Sequence, residues 1–145
     1  MYVWFGPKWW RLTAARKNSG LNIYHFRYAD VLLMLAEAAN ELGHTTTAYD
    51  AINDVRERAG LTEFSGLSQD AFRTALQQER AWELCGEGHR RFDLVRWGKW
   101  YDAAKAAALA EEPTLANSLQ PYMNYLPVPQ SEIALNPKLT QNPGW

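Results

Sequence analysis

Two consecutive helix patterns, separated by one glycine turn, constrain the fold of this chain more than any other feature. The apolar residues of the first pattern recur at spacings of four, three, four and three, which is the period of one helix face. They are Tyr28, Leu32, Leu35, Ala39 and Leu42, with Val31, Met34 and Ala38 beside them. A helix with so wide an apolar stripe is expected to be mostly buried.

The second pattern follows after a very short link. Gly43 stands where a left-handed helix C-cap is easiest, and the threonines 45–47 are expected to supply the next N-cap. The apolar stripe of this helix is Ala48, Ile52, Val55 and Ala59, and Gly60 ends it. Two helices with so short a link form an antiparallel hairpin.

The hairpin has the spacing of a tetratricopeptide repeat. Counting from the small Ala36, Ala48 follows after 12 residues, Ile52 after four more and Val55 after three more. Small residues at these positions let two helices approach closely. The Trp and Pro ends of that motif are missing, and only one repeat is visible. A lone repeat cannot bury its own faces, so neighbouring helices must come from elsewhere in this chain or from sequence outside it.

The remaining pattern predicts further helices and then a tail. A helix capped by Ser68 is expected to reach about Cys85, where Gly86 and Gly88 follow, and shorter helices are expected over residues 91–97 and 99–111. From Pro113 onward there are six prolines and little periodicity, which predicts turns. The apolar side chains of this tail are expected to be buried; they are Tyr122, Tyr125, Leu126, Ile133 and Leu135.

The predicted fold class is therefore all-α: a tetratricopeptide-like helical hairpin, further helices and an irregular, proline-rich C-terminal tail. Residues 1–27 are expected to be an irregular N-terminal segment, and residues 28–145 one helical domain. A length of 145 residues suits a single domain with a sizeable core.

Composition excludes several classes of protein and site. A net charge of −1 argues against a protein that tracks nucleic-acid phosphates. One cysteine excludes an intramolecular disulfide framework, and the three histidines have no metal-ligand spacing, so no metal or other cofactor is predicted. No apolar run reaches the length of a membrane span. The GEGHRR segment follows a helix instead of opening one after a strand, so it does not match a phosphate loop.

Three glutamates at a spacing of four residues, Glu79, Glu83 and Glu87, would share one face if their helix continued. One interpretation is a carboxylate pair for glycoside hydrolysis, which in a retaining enzyme needs a separation of about 5–5.5 Å. The favoured interpretation is structural, because arginines that bind buried carboxylates lie in the same segment. The predicted structural network is Glu79, Glu83, Arg80, Arg91, Asp93 and Arg96. Removing the Glu83 carboxylate from this network is expected to destabilise the fold.

Aromatic residues make up 13% of the chain and include seven tryptophans, which is the one unusual number in the composition. The aromatic residues of the helical segments are expected to pack in the core; they are Trp82, Phe92, Trp97 and Trp100. The candidates for stacking on a sugar face lie in turn-rich segments. They are Trp4, Trp9 and Trp10 near the N-terminus and Tyr122 and Tyr125 in the tail.

Three blocks of sequence together resemble a known family. They are RYADVLLMLAEAANELG with AINDVRERAGL (residues 27–61), ERAWELCGEGHRRFDLVRWG (residues 79–98) and LPVPQSEIALNPKLTQNPGW (residues 126–145). In this order and spacing they are similar to the C-terminal region of the SusD/RagB family of Bacteroidetes outer-membrane lipoproteins. The ending QNPGW is similar to the usual chain end of that family, so we expect a natural C-terminus and a chain that is a fragment of a longer protein.

The resemblance implies a helical scaffold and a function in nutrient uptake. Such proteins are held on the cell surface by a lipid on an N-terminal cysteine, which this chain lacks. They bind glycans or other nutrients, cap a SusC-like TonB-dependent transporter, and deliver the ligand without cleaving it. No ligand-binding residue is implied by the three blocks, which are scaffold in character. Two alternatives stay open: an intracellular tetratricopeptide adaptor that binds peptides, and a glycosidase that uses Glu79 and Glu83.

Overall fold

A computed structural model describes residues 24–145, and these residues contain helices and turns but no strand. The elements in chain order are α1 (Tyr28–Glu41), α2 (Thr45–Arg58), α3 (Gln69–Glu83), α4 (His89–Arg96), α5 (Trp100–Glu111), α6 (Pro113–Ser118), a 3₁₀-helix (Pro121–Asn124) and α7 (Gln130–Leu135). The chain divides into two compact units, Met1–Leu76 and Gln77–Trp145, and the division falls within α3. The prediction of an all-α fold with a helical hairpin is confirmed.

The link between α1 and α2 forms as predicted at its glycine. Gly43 has a φ of 76°, and the N–H groups of His44 and Gly43 donate to the carbonyls of Ala39 (2.8 Å) and Asn40 (3.1 Å). This pair of bonds is the Schellman arrangement, which needs a left-handed residue after the helix and therefore favours glycine. The predicted threonine cap is wrong: the N-cap residue is His44, and its side chain makes no capping hydrogen bond.

The buried face of α1 differs from the predicted stripe. Ala29, Leu33, Ala36 and Asn40 are buried, whereas most of the residues predicted to be buried are exposed or half-buried; among that stripe only Ala39 is buried. The reason is that α1 packs against α2 through small side chains, which allow two helix backbones to approach closely. Apart from Leu33, the larger apolar side chains of α1 therefore point to other sides of the helix.

The core of the first unit lies between α1, α2 and the start of α3. Its fully buried members are Leu33, Ile52, Val55, Phe72 and Leu76. The predicted α2 stripe is confirmed at Ala48, Ile52 and Val55, while Ala59 is exposed at the helix end. Each buried aliphatic or aromatic side chain of this kind contributes roughly 1.5–3 kcal/mol by leaving water.

The loop between α2 and α3 is held by side chains of α2. The Asn53 amide donates to the Phe64 carbonyl (3.0 Å) and accepts from the Phe64 N–H (2.8 Å), while the Tyr49 hydroxyl accepts from the Leu67 N–H (2.7 Å). Ser68 then caps α3 as predicted, because its Oγ accepts from the Ala71 N–H at 3.3 Å. The loop is thus fixed in the position that starts α3 against the hairpin.

An ion pair joins the end of α1 to the first turns of α3. Arg73 donates from Nε to Glu41 Oε1 (2.6 Å) and from a second nitrogen to Oε2 (2.7 Å), and it also contacts Asp70. The hydrogen bond from Arg73 holds the pKa of Glu41 below its ordinary value, against a smaller opposing effect of burial.

We expect an NMR titration to show a lowered pKa for Glu41 that rises towards the ordinary glutamate value in Arg73→Ala. Arg73→Lys keeps the charge but loses the two-pronged contact, so it should give an intermediate pKa. Because folding lowers this pKa, the stabilisation is complete above the unfolded-state pKa and is lost as the pH falls through the folded-state pKa. Both side chains are partly exposed, so the contribution is small. Identical titrations of Glu41 in all three proteins would contradict the pairing.

The second unit ends in a tail that is more helical and more exposed than predicted. Pro113 does end α5 but also begins α6, because a proline at the first helical position loses no hydrogen bond. The prediction that the apolar side chains of the tail are buried is wrong for Tyr125, Leu126 and Leu135, which are exposed. Tyr122 and Ile133 are half-buried.

Candidate functional site

A cluster of charges, Arg80, Asp93 and Arg96, connects α3 to α4; we call it the Asp93 cluster. Arg80 donates from Nε to Asp93 Oδ2 at 2.9 Å, and Arg96 donates from Nε to Oδ1 at 3.0 Å. The side chains of Arg80 and Asp93 are only 4% and 6% exposed. Helix α4 brings Asp93 to this position after a turn in which Gly86 and Gly88 have positive φ values. The two oxygens of one carboxylate therefore serve two arginines.

The predicted network has three further members, Arg91, Glu79 and Glu83. Arg91 donates to the carbonyl of Met123 at 3.2 Å, and its guanidinium lies 4.6 Å from the centre of the Trp100 ring. Glu79 is buried and Glu83 is half-buried, one turn apart on α3. The structure therefore brings Arg80, Asp93 and Arg96 together, and it places Arg91 against the 3₁₀-helix.

The position of Glu79 bears on the hydrolase alternative. Glu79 is only 2% exposed, on the same stretch of α3 as the buried Arg80. A general acid or nucleophile must come within about 3 Å of the glycosidic bond, and a carboxylate so enclosed is not accessible to a polysaccharide. The burial of Glu79 favours a structural role for this carboxylate.

The last residues of the chain are bound to the segment that follows the 3₁₀-helix. Gln141 accepts from the Val128 N–H (2.8 Å) and donates to its carbonyl (3.0 Å), and Asn142 donates to the Leu126 carbonyl (2.7 Å). We call residues 141–145 the C-terminal clasp. The QNPGW ending, which the sequence indicated only as a family feature, thus makes side-chain hydrogen bonds to backbone that lies 13 to 16 residues earlier in the chain.

Two aromatic rings, those of Trp145 and Tyr122, contact each other at the C-terminal clasp. Trp145 donates from its indole nitrogen to the Tyr125 carbonyl (3.0 Å), and its ring meets the Tyr122 ring edge-on with centroids 5.3 Å apart. Gly144 has a φ of 97°, and a Cβ there would overlap the Tyr122 ring, so the position requires glycine. Tyr122 is consequently half-buried, while the Tyr125 side chain stays exposed.

The two described residues that were predicted to stack on a sugar, Tyr122 and Tyr125, thus differ in their solvent exposure. Tyr125 is 66% exposed and presents a ring on the surface of the second unit. Tyr122 is mostly engaged by Trp145 and the Gly144 backbone. The predicted positions Trp4, Trp9 and Trp10 lie outside the described residues. Tyr125 is the candidate best placed within the described part to meet a ligand.

The prediction that the helical aromatic residues pack in the core is wrong for two of them. Trp82 and Phe92 are exposed, while Trp97 and Trp100 are half-buried beside arginine guanidinium groups. Successive helix positions are about 100° apart, so Trp82 falls on nearly the opposite side of α3 from the buried Arg80. The charged residues take the inward positions of this unit, and those two aromatic rings face outward.

Neither a metal site nor a membrane-spanning helix is found within residues 24–145. Among these residues no three His, Cys, Asp or Glu side chains are grouped so that they could hold a metal ion. None of their helices combines the length and the apolar character needed to cross a membrane.

Comparison with known proteins assigns the family. The sequence pattern of the SusD family matches residues 7–145. A SusD-like protein from Formosa agariphila is 42% identical over 142 residues, which cover 93% of this chain and 27% of that protein. The starch-binding protein SusD from Bacteroides thetaiotaomicron is 34% identical over 125 residues, which cover 83% of this chain and 21% of that protein.

Solved structures agree with the sequence relatives. A SusD homolog from Bacteroides thetaiotaomicron superposes with a TM-score of 0.78 at 36% identity, over 88% of this chain and 29% of that one. A SusD superfamily protein from Bacteroides vulgatus gives a TM-score of 0.77 at 35% identity, over 89% and 28% of the two chains. This chain spans about a quarter of the length of these relatives. The resemblance seen in the three sequence blocks is confirmed, and the chain belongs to the SusD family.

Proposed function

We propose that this chain is part of a glycan-binding protein of the outer-membrane surface that delivers oligosaccharides to a SusC-like TonB-dependent transporter. The observation that carries the proposal is its 34% identity, over 83% of the chain, to a protein named for starch binding. The proposal concerns a protein of the relatives' length, of which these residues would form about a quarter. That longer protein would be held at the membrane by a lipid on its N-terminal cysteine.

Tyr125 is the residue of the described part that we propose to contact the glycan. A sugar ring has an apolar face of C–H groups, and a flat aromatic ring is the natural surface for it. The exposed Tyr125 ring follows a 3₁₀-helix whose carbonyls at 123 and 124 are bound by Arg91, and its own carbonyl is bound by Trp145. The ring is therefore attached to a fixed backbone, which lowers the entropic cost of binding.

The function and the site are tested together by calorimetric titration of the complete protein that contains this chain. The ligands are a panel of soluble oligosaccharides, starting with starch fragments. We expect Tyr125→Ala to weaken binding about tenfold, because an aromatic contact contributes roughly 0.5–1.5 kcal/mol beyond its buried area. Phe92→Ala is the matched control, since Phe92 is equally exposed but lies on α4. Its affinity should equal that of the unmodified protein.

The outcomes separate the site from the function. Binding that Tyr125→Ala leaves unchanged would place the site elsewhere, with Trp4, Trp9 and Trp10 as the next positions to substitute. A protein that binds none of the oligosaccharides would contradict the proposed function itself. Co-purification of a TonB-dependent transporter from outer membranes, using a tagged copy of the protein, tests the partner separately.

We further expect the protein to bind glycans without hydrolysing them. Glu79 is buried, and catalysis by a carboxylate pair needs one accessible acid and one accessible base or nucleophile. Incubation with the same oligosaccharides should release no new reducing ends. Turnover that disappears in Glu79→Gln would support the glycosidase alternative instead.

A further inference from the structure

A small pocket lies in the first unit, where the turn between α1 and α2 meets the loop that leads into α3. Its volume is about 190 Å³. Aromatic rings, primary amides and a hydroxyl group line it. They belong to Tyr49, Phe72, Asn40, Gln69 and Thr45. We call this the elbow pocket, and none of these residues belongs to the unit that contains Tyr125.

The aromatic side of the elbow pocket is fixed by the core of the first unit. Phe72 is 1% exposed, and the half-buried Tyr49 ring stands edge-on to it with centroids 5.0 Å apart. The Tyr49 hydroxyl accepts from the Leu67 N–H at 2.7 Å, which holds the tyrosine ring at its far end as well. Walls that are held before a ligand arrives lose little conformational entropy when it binds.

Two primary amides form the polar side of the elbow pocket. Asn40 is only 7% exposed, and its Nδ2 donates to the Gln69 carbonyl at 3.2 Å. In return, Gln69 Nε2 donates to the Asn40 carbonyl at 2.6 Å. These bonds fix which atom of each amide is the nitrogen. The two amide oxygens accept no hydrogen bond from residues 24–145, so both are available to a ligand hydroxyl.

The lining of the pocket favours a neutral ligand with one ring. None of the described residues that line it has an ionised side chain, so the pocket supplies no counter-charge for a carboxylate, a phosphate or an ammonium group. Its volume of about 190 Å³ is below the roughly 300–1,000 Å³ of sites for drug-sized ligands. Aromatic rings suit the C–H face of a sugar, and the amides suit its hydroxyl groups.

We propose that the elbow pocket binds one neutral monosaccharide unit, with the C–H face of the sugar on the aromatic side and its hydroxyl groups on Asn40 and Gln69. The choice of a sugar rests on the proposed function, and the pocket would be a second contact for the glycan besides Tyr125. Binding of a single unit is expected to be weak, because so small a ligand makes few contacts.

Saturation-transfer NMR tests the proposal, since it detects weak binding through the signals of the ligand. The probes are glucose, galactose and mannose, added to the complete protein that contains this chain. All variants carry Tyr125→Ala, which removes the other proposed contact. Thr45→Trp adds a large ring to an exposed residue that lines the pocket. We expect it to weaken binding of the sugar that gives a signal by at least about tenfold, because the ring occupies space that the ligand needs.

Two controls separate the pocket from general effects. Thr46→Trp places the same ring on the next residue, which is also exposed but does not line the pocket, so its affinity should equal that of the Tyr125→Ala parent. Glucuronate differs from glucose by an ionised carboxylate, and it should bind more weakly than glucose because the lining has no positive charge.

Several outcomes would overturn the inference and leave the proposed function intact. They are unchanged monosaccharide binding in Thr45→Trp, an equal loss in Thr45→Trp and Thr46→Trp, and the absence of any monosaccharide signal from a protein that still binds oligosaccharides. Equal binding of glucose and glucuronate would overturn the assignment of a neutral ligand. A protein that binds no saccharide of any length would contradict the proposed function and the inference together.

Discussion

Replacing Asp93 by alanine should lower the free energy of unfolding by about 3–5 kcal/mol, because the substitution removes the carboxylate that is bonded to the buried Arg80 guanidinium. Asp93 is 4% exposed and accepts from Arg80 at 2.9 Å, and Arg80 is also 4% exposed. Urea unfolding followed by tryptophan fluorescence would measure the change.

Two further variants show whether burial causes this effect. Asp102→Ala removes an exposed carboxylate from the first turn of α5 and should cost less than about 1 kcal/mol. The double variant Arg80→Met/Asp93→Leu removes both buried charges, so it should be more stable than Asp93→Ala alone. If Asp93→Ala unfolded at the same urea concentration as the unmodified protein, the Asp93 cluster would have no part in stability.

The second large effect is expected at the core of the first unit. Phe72→Ala should cost about 3–5 kcal/mol, since it removes a buried ring and leaves a cavity that the helices cannot fully close. Phe72 is 1% exposed, and its ring meets the Tyr49 ring edge-on with centroids 5.0 Å apart. The same urea experiment measures this loss.

Phe92→Ala is the matched control for Phe72→Ala. Phe92 is 74% exposed, so its removal should change the stability by no more than about 0.5 kcal/mol. Equal losses for the two variants would contradict the burial of Phe72 and the exposure of Phe92.

The contacts of the charged residues could be predicted from the sequence only in part. The pattern predicted a network of Glu79, Glu83 and Asp93 with arginines over residues 79–96, with Glu83 as the costly residue to remove. The structure places Asp93 between two arginines and leaves Glu83 half-buried. The helix period shows which residues share a face. Which carboxylate contacts the arginines depends on the angle between α3 and α4, which the turn at Gly86 and Gly88 sets.

The tail shows a related limit. Its prolines indicated turns, yet Pro113, Pro121 and Pro129 each stand at or just before the start of a short helix. A proline prevents a helix from continuing through it and favours the first turn of a new one, so one residue type indicates both outcomes. The contacts of the clasp with the backbone of residues 125–128 join positions 13 to 20 residues apart, and no local pattern specifies them.

The sequence by itself determined the helices of the hairpin, their glycine ends, the cap of α3 and the family. These features depend on interactions within a few residues: the period of a helix face, the left-handed backbone of Gly43 and Gly60, and the Ser68 hydroxyl. The tertiary structure decided which side of α1 is buried, which carboxylate is enclosed and which aromatic rings face the solvent. Those outcomes depend on packing between residues distant in the chain, where small side chains such as Ala29 and Ala36 make the contact together with Leu33, and the other large side chains of α1 are directed elsewhere.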